Sequence, residues 1–146
     1  ERVQATSSGA LDPAQVVREG VRAQPEINAI ATRKSREVEV LVWNYHDDDA
    51  AAAPSSIELT ISGLPSGTEK GLFEHFRIDS SHSNAFAAWK ESGSPQSPSA
   101  DQYSKLESAG QLQLLTSPHW IQINHRSARL QFDLPRQGVS LVRIAW

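Results

Sequence analysis

At 146 residues, with 38% hydrophobic and 21% charged side chains, the chain has the size and composition of one globular domain. Its apolar runs are too short to span a bilayer, and a net charge of −3 with 14 dispersed Lys and Arg leaves no electrostatic footprint for nucleic acid or anionic lipid. Absence of cysteine excludes disulfides, thiolate catalysis and sulfur-ligated zinc, yet bacterial cytoplasm, periplasm and the secreted state all stay open. The chain opens on Glu1, with no methionine and no leader-like segment, and is expected to be a processed chain or an excised piece.

The first segment, Glu1 to Ala10, is small and polar. Asp12-Pro13-Ala14-Gln15 then predicts a helix start, with Asp12 as N-cap and Pro13 at the first helical position, running to about Arg18 and stopped by Gly20. Residues 1–25 are thus expected to be a linker and a short helix, and residues 26–146 a β domain. Ile27 to Thr32 reads as a strand that turns at Lys34-Ser35-Arg36. Val38, Val40, Val42 and Asn44 then share one face of a second strand, with Glu39, Leu41, Trp43 and Tyr45 on the other. Apolar residues on both faces predict a central strand.

An alanine-rich stretch closed by Pro54 leads into Ile57, Leu59 and Ile61, alternating with polar residues as in a half-buried strand. Gly63-Leu64-Pro65-Ser66-Gly67 is dense in turn residues, and Leu72 to Ile78 resumes the extended pattern. The alternation then stops. From about 80 to 111 the chain reads as a helical insertion: a short helix over Asn84–Glu91, capped by Ser83 or Asn84, then a Ser/Pro/Gly loop over Gly93–Ser99. A capping box at Ser99-Ala100-Asp101-Gln102 starts a helix over Ala100–Ala109, with Tyr103, Leu106 and Ala109 facing inward. Strands return at Trp120–Asn124, through Leu130, Phe132 and Leu134, and over Val139–Trp146. The fold class predicted is mainly β: an antiparallel β-sandwich of about seven strands with a helical insertion and a short N-terminal helix.

Three constellations invite chemistry. His46-Asp47-Asp48-Asp49 offers oxygen and imidazole groups to a cation, but its spacing matches no calcium loop, and an acidic loop paired with arginine on a neighbouring domain is favoured; no metal or cofactor is expected. Asp79, His82 and Ser83 contain the residue types of a catalytic triad, yet all lie within five residues and lack a Gly-x-Ser-x-Gly elbow. Exposed aromatic rings would stack on sugars; Trp43, Trp120 and Trp146 lie in strands and are expected in the core, leaving Trp89 the least committed.

Four blocks, in order, carry a resemblance: Val42-Trp43-Asn44-Tyr45-His46-Asp47-Asp48-Asp49; Arg77-Ile78-Asp79 with His82-Ser83-Asn84-Ala85 and Trp89; Gly93-Ser94-Pro95-Gln96 with Pro98 and Gln102-Tyr103; and Leu134-Pro135-Arg136-Gln137-Gly138-Val139-Ser140-Leu141. Together they resemble the C-terminal accessory β-sandwich of glycoside hydrolase family 39, the β-xylosidases related to α-L-iduronidases. Phe86 departs from the tyrosine of that pattern, and the Ala50–Ala53 loop is variable.

The resemblance implies an intact retaining enzyme whose (β/α)₈ barrel holds two catalytic glutamates. A barrel needs about 250 residues, so that pair maps to no position here. Glu58, Glu74 and Glu107 sit in strand or helix patterning with nothing to mark them catalytic. The fragment is expected to be non-catalytic alone, to pack on the barrel, and to shape the sugar subsite through His82, Asn84 and Trp89. Its partners would be that barrel, indirectly a xylo-oligosaccharide, and a second copy in a homo-oligomer. The alternatives are an independent carbohydrate-binding module and a structural or oligomerisation domain.

Overall fold

Alternation in Glu37–Tyr45 sets the architecture, because a strand apolar on both faces needs a neighbour on each side and a layer over its inner face. The computed structural model describes residues 1–48 and 50–146. Among these the elements run β1 (Arg2–Val3), α1 (Pro13–Glu19), β2 (Glu26–Lys34), β3 (Glu37–Tyr45), β4 (Ser55–Ser62), β5 (Lys70–Ile78), α2 (Ala85–Glu91), α3 (Ala100–Ala109), β6 (Gln113–Gln122), β7 (Ser127–Leu134) and β8 (Gly138–Ala145). One sheet has the order β1-β2-β3-β8-β5-β6; a second pairs β4 with β7, and every pairing is antiparallel. This is the expected antiparallel β-sandwich with a helical insertion, and β3 is internal, between β2 and β8.

The core lies between the sheets. Val38, Val40 and Val42 of β3 sit in register with Ile144, Val142 and Ser140 of β8 and face Ile57, Ile61, Ala128 and Leu134 of the small sheet. Asp12 caps α1 by accepting from Gln15 N at 3.0 Å, and the helix ends at Gly20. There φ is +72°, and a Cβ would stand 2.2 Å from Asp47 Oδ2, so only glycine fits.

Four details differ from the sequence reading. An eighth strand, β1, pairs Arg2 with Thr32 and Val3 with Ala31; two residues carry no periodic signal. Strand β6 begins at Gln113 rather than near Trp120: it lies on the sheet edge, where Pro118 is tolerated, and irregularities opposite Phe73–Phe76 disturb its alternation. Tyr103 is 64% exposed; Gln102, Leu106 and Ala109 are the half-buried positions of α3, since its one close neighbour is α2 and a narrow stripe is enough to meet it. Trp120 is 65% exposed and Trp43 half-buried, because both have the parity of the outer face; Trp146 does pack against the core.

Candidate functional site

Strand β5 carries the site. Its parity puts Phe73, His75 and Arg77 on the inner face, and Asp79 follows at the same spacing just past the strand end. An arginine is tolerated in this interior because β8 places Ser140 opposite it in register and the surrounding groups meet its donors. Arg77 Nε donates to Ser140 Oγ at 3.0 Å, one terminal nitrogen donates to the Asp133 carbonyl at 2.9 Å, and the other lies 3.6 Å from Asp79 Oδ2. Both charged side chains are buried, at 4% and 7% exposure. His75 Nε2 lies 2.9 Å from the same Ser140 hydroxyl, and its ring meets Phe73 and Phe132 edge-on at centroid distances of 5.9 and 4.7 Å.

Past the strand, Asp79 organises the turn. Its Oδ1 accepts from Ser81 N at 2.7 Å, His82 N at 2.9 Å and His82 Nδ1 at 2.9 Å. Burial raises the Asp79 pKa, but the hydrogen bonds from the Ser81 amide and the His82 ring and amide outweigh it, and the carboxyl ends below its ordinary range. Burial lowers Arg77, opposed by Asp79. For His75, burial first and the Arg77 charge second lower the pKa from 6.5 to about 4, so the imidazole is neutral at physiological pH.

Ser83 stands in the left-handed region at φ +52°, held there by both ends of its hydroxyl. Oγ donates to the Arg77 carbonyl at 2.7 Å and accepts from Gln113 N at 2.8 Å, joining the end of β5 to the start of β6. Of the triad types, the Asp79–His82 pair therefore forms, whereas the Ser83 hydroxyl is spent on backbone. Asn84 donates from Nδ2 to the Asp79 carbonyl at 2.8 Å and caps α2 by accepting from Ala87 N at 2.9 Å. Trp89 Nε1 donates to the Pro95 carbonyl at 3.0 Å, and its ring stacks on Phe86 at 5.6 Å, with the Lys90 ammonium 4.5 Å from the Phe86 ring centre. His82, Asn84 and Trp89 thus belong to one excursion, but the polar groups of Asn84 and Trp89 are engaged within it. His82 is 34% exposed, with Nδ1 on Asp79.

His75 is absent from the sequence reading, and Arg77 and Ser140 enter it only as members of the matching blocks, with no role assigned. The signal was the spacing His75-x-Arg77-x-Asp79, three polar groups at strand period on a face whose neighbours are apolar.

Two carboxylates of the acidic loop, Asp47 and Asp48, pair with arginines of this domain. Asp47 Oδ2 accepts from Val21 N at 3.0 Å and Arg22 Nε at 3.4 Å, while Asp48 Oδ1 pairs with Arg136. Buried His46 has Nε2 2.9 Å from the Arg22 carbonyl, and Asp49 lies outside the described residues. A groove of about 370 Å³ opens elsewhere, between residues 3–6 and β4, over Ala29, Ala31 and Trp146. Its lining includes Arg33 and none of the site residues above.

This fold recurs in solved enzymes. A family 39 glycoside hydrolase from Xanthomonas axonopodis pv. citri superposes with a TM-score of 0.68 at 11% identity, over 80% of this chain and 25% of its own. A monomeric β-xylosidase from Caulobacter crescentus CB15 gives 0.62 at 12% identity, over 80% of this chain and 26% of its own. The bacterial orthologue of human α-L-iduronidase gives 0.64 at 20% identity, over 92% of this chain and 23% of its own. At such identities the likeness is one of fold, and the chain spans about a quarter of the length of these relatives. No curated protein matches by sequence. The sequence profile described as glycosyl hydrolases family 39 matches residues 8–120, most of the chain, and the protein therefore belongs to glycosyl hydrolase family 39.

Proposed function

We propose that this chain is the accessory β-sandwich of a β-xylosidase-like glycoside hydrolase, packed on a (β/α)₈ barrel that holds the catalytic glutamates and cleaves O-glycosyl bonds of xylo-oligosaccharides during xylan degradation. Alone it has no hydrolytic activity. The excursion over residues 80–111 forms a wall at the mouth of the barrel, where His82, Asn84 and Trp89 shape the sugar subsite and exclude water. One observation carries this reading: His82 is half-exposed on a turn whose geometry is fixed from beneath by the buried Arg77–Asp79 pair. With Nδ1 on the Asp79 carboxylate and the side chain 34% exposed, Nε2 is the ring's remaining hydrogen-bonding atom and has no partner among the described residues. Asn84 and Trp89 contribute by holding the wall in shape, since their own polar atoms are bound inside it.

Replacing His82 and Trp89 by alanine in the complete enzyme tests this. A raised KM or a lowered kcat with assembly intact is expected; unchanged KM and kcat with intact assembly would sink the wall idea. A second reading, an independent carbohydrate-binding module, is favoured by the exposed Trp120 indole. Titrating the 146-residue chain with xylobiose separates the two, because saturable binding by the isolated chain belongs to the module alone.

A further inference from the structure

We propose that the outer face of the six-stranded sheet is the surface by which this domain packs on the catalytic domain of its own polypeptide. The proposal rests on the accessory-domain reading above and names the face that reading leaves open. The pairing register places Ile30, Leu41, Leu141, Phe76 and Leu114 side by side, one from each of β2, β3, β8, β5 and β6. They form an unbroken apolar row across five strands, roughly 19 Å wide at the usual strand spacing. Ile30, Leu41 and Leu114 remain 42%, 38% and 41% exposed.

The other outer face of the sandwich has the opposite character. On β4 and β7 the outward positions alternate as Glu58 and Thr60 beside Arg129 and Gln131, the pattern of an antiparallel face meant for water. A sheet that carries an apolar row across its outer face, beside an apolar inner face, expects a layer over that row as well.

Size and charge select the occupant. Strands of 8 to 10 residues are roughly 26–34 Å long, so the row and its flanks offer on the order of 500–600 Å² per side. That suits packing between domains of one chain, where two-sided burial runs about 600–1,500 Å² and the tether supplies a high effective concentration. It falls short of the roughly 2,000 Å² or more of an obligate homodimer. The cation among the flanking positions, Arg143, is neutralised on the same face by Glu74 and Glu37, which leaves no field to attract nucleic acid or anionic lipid. A body of the right kind is at hand, since relatives of this fold have about three quarters of their length outside the matched region.

The chain contains no cysteine, so single thiols report on each face. Leu41→Cys and, as a second position, Ile30→Cys would be placed in the 146-residue chain and in the complete polypeptide freed of other cysteines, with Thr60→Cys, Val17→Cys and Tyr103→Cys on other surfaces. Thiol-reagent labelling at Leu41→Cys and Ile30→Cys should be about tenfold slower or more in the complete polypeptide than in the 146-residue chain, with Thr60→Cys equally reactive in both. Slowing only at Thr60→Cys, Val17→Cys or Tyr103→Cys would overturn this face and leave the accessory-domain reading standing. No slowing anywhere would overturn both. Slowing at Leu41→Cys that grows with concentration in the 146-residue chain would assign the face to a second copy instead.

Discussion

Replacing His75 by glutamine tests how the buried polar chain sets the response of this domain to acid. His75 is 3% exposed, and burial, then the Arg77 charge, lower its pKa from 6.5 to about 4. Because the folded value lies below the unfolded one, the unfolded chain binds the proton more readily between them. The stability tied to neutral His75 is therefore fully present above 6.5, drains as pH falls through that window, and stops draining below the folded value. At about 1.4 kcal/mol for each unit of difference, the loss comes to roughly 3 kcal/mol, a large share of the 5–15 kcal/mol that holds a typical domain together. Asp79 acts at lower pH: its folded pKa is depressed, so its contribution is present above the unfolded carboxylate value and fades only as pH drops through the folded one. Urea titrations of wild type and His75→Gln, from about pH 7.5 down to about pH 4, separate the two effects. The stability difference between the proteins should be constant above 6.5 and shrink by about 3 kcal/mol toward the lower end. Parallel curves for the two proteins would refute the assignment of the acid response to this histidine.

Four further outcomes follow from the same geometry. Asp79→Ala strands the buried Arg77 guanidinium and should cost about 3–5 kcal/mol in chemical denaturation, part of it recovered by adding Arg77→Met. Ser83→Ala leaves the Arg77 carbonyl and the Gln113 amide without their partner, which should cost about 1–3 kcal/mol and speed amide exchange over residues 84–112 while the sheet core keeps its protection. Gly20→Ala drives a Cβ into the Asp47 carboxylate at a positive φ, so the melting temperature should fall by roughly 5 °C. Leu134→Ala empties a fully buried site between the sheets and should lower unfolding free energy by about 2–5 kcal/mol.

Much of this fold is legible in the residues, for identifiable reasons. Strand β3 announces itself because its valines and Asn44 keep strict period two over nine residues, and the caps at Asp12 and Ser99 because local side-chain bonds alone decide them. Strand β6 is half hidden because Pro118 and the irregular register break its alternation. Trp120 misleads because hydrophobicity alone does not say which face of a sheet a side chain takes; register with Leu72 does. At the site, Asp79, His82 and Asn84 are visible as a polar break after a strand. His75 and Arg77 are not, since a charged residue inside a strand reads as solvated until Ser140, 63 residues beyond Arg77, is seen to meet it.

The manner in which the excursion is fastened bears on what it can do. Its two ends meet at one hydroxyl, where Ser83 bonds Arg77, next to the end of β5, and Gln113, the first residue of β6. Beneath that point the Arg77–Asp79 pair ties the turn to the interior, and Asn84 links the same turn to the cap of α2. A segment so closed loses little further conformational freedom when it meets a partner, because loop closure and side-chain ordering are completed on folding. Its surface is therefore presented ready-made, and contact with a barrel need not spend interaction energy on ordering it. The outer sheet face differs in kind: its apolar row crosses five strands, and the charges beside it, Arg143 with Glu74 and Glu37, are paired with one another, a surface proposed above for holding two bodies together. Under the proposed reading, attachment and shaping would be separated on this domain, the sheet supplying area and the closed polar excursion supplying the imidazole of His82.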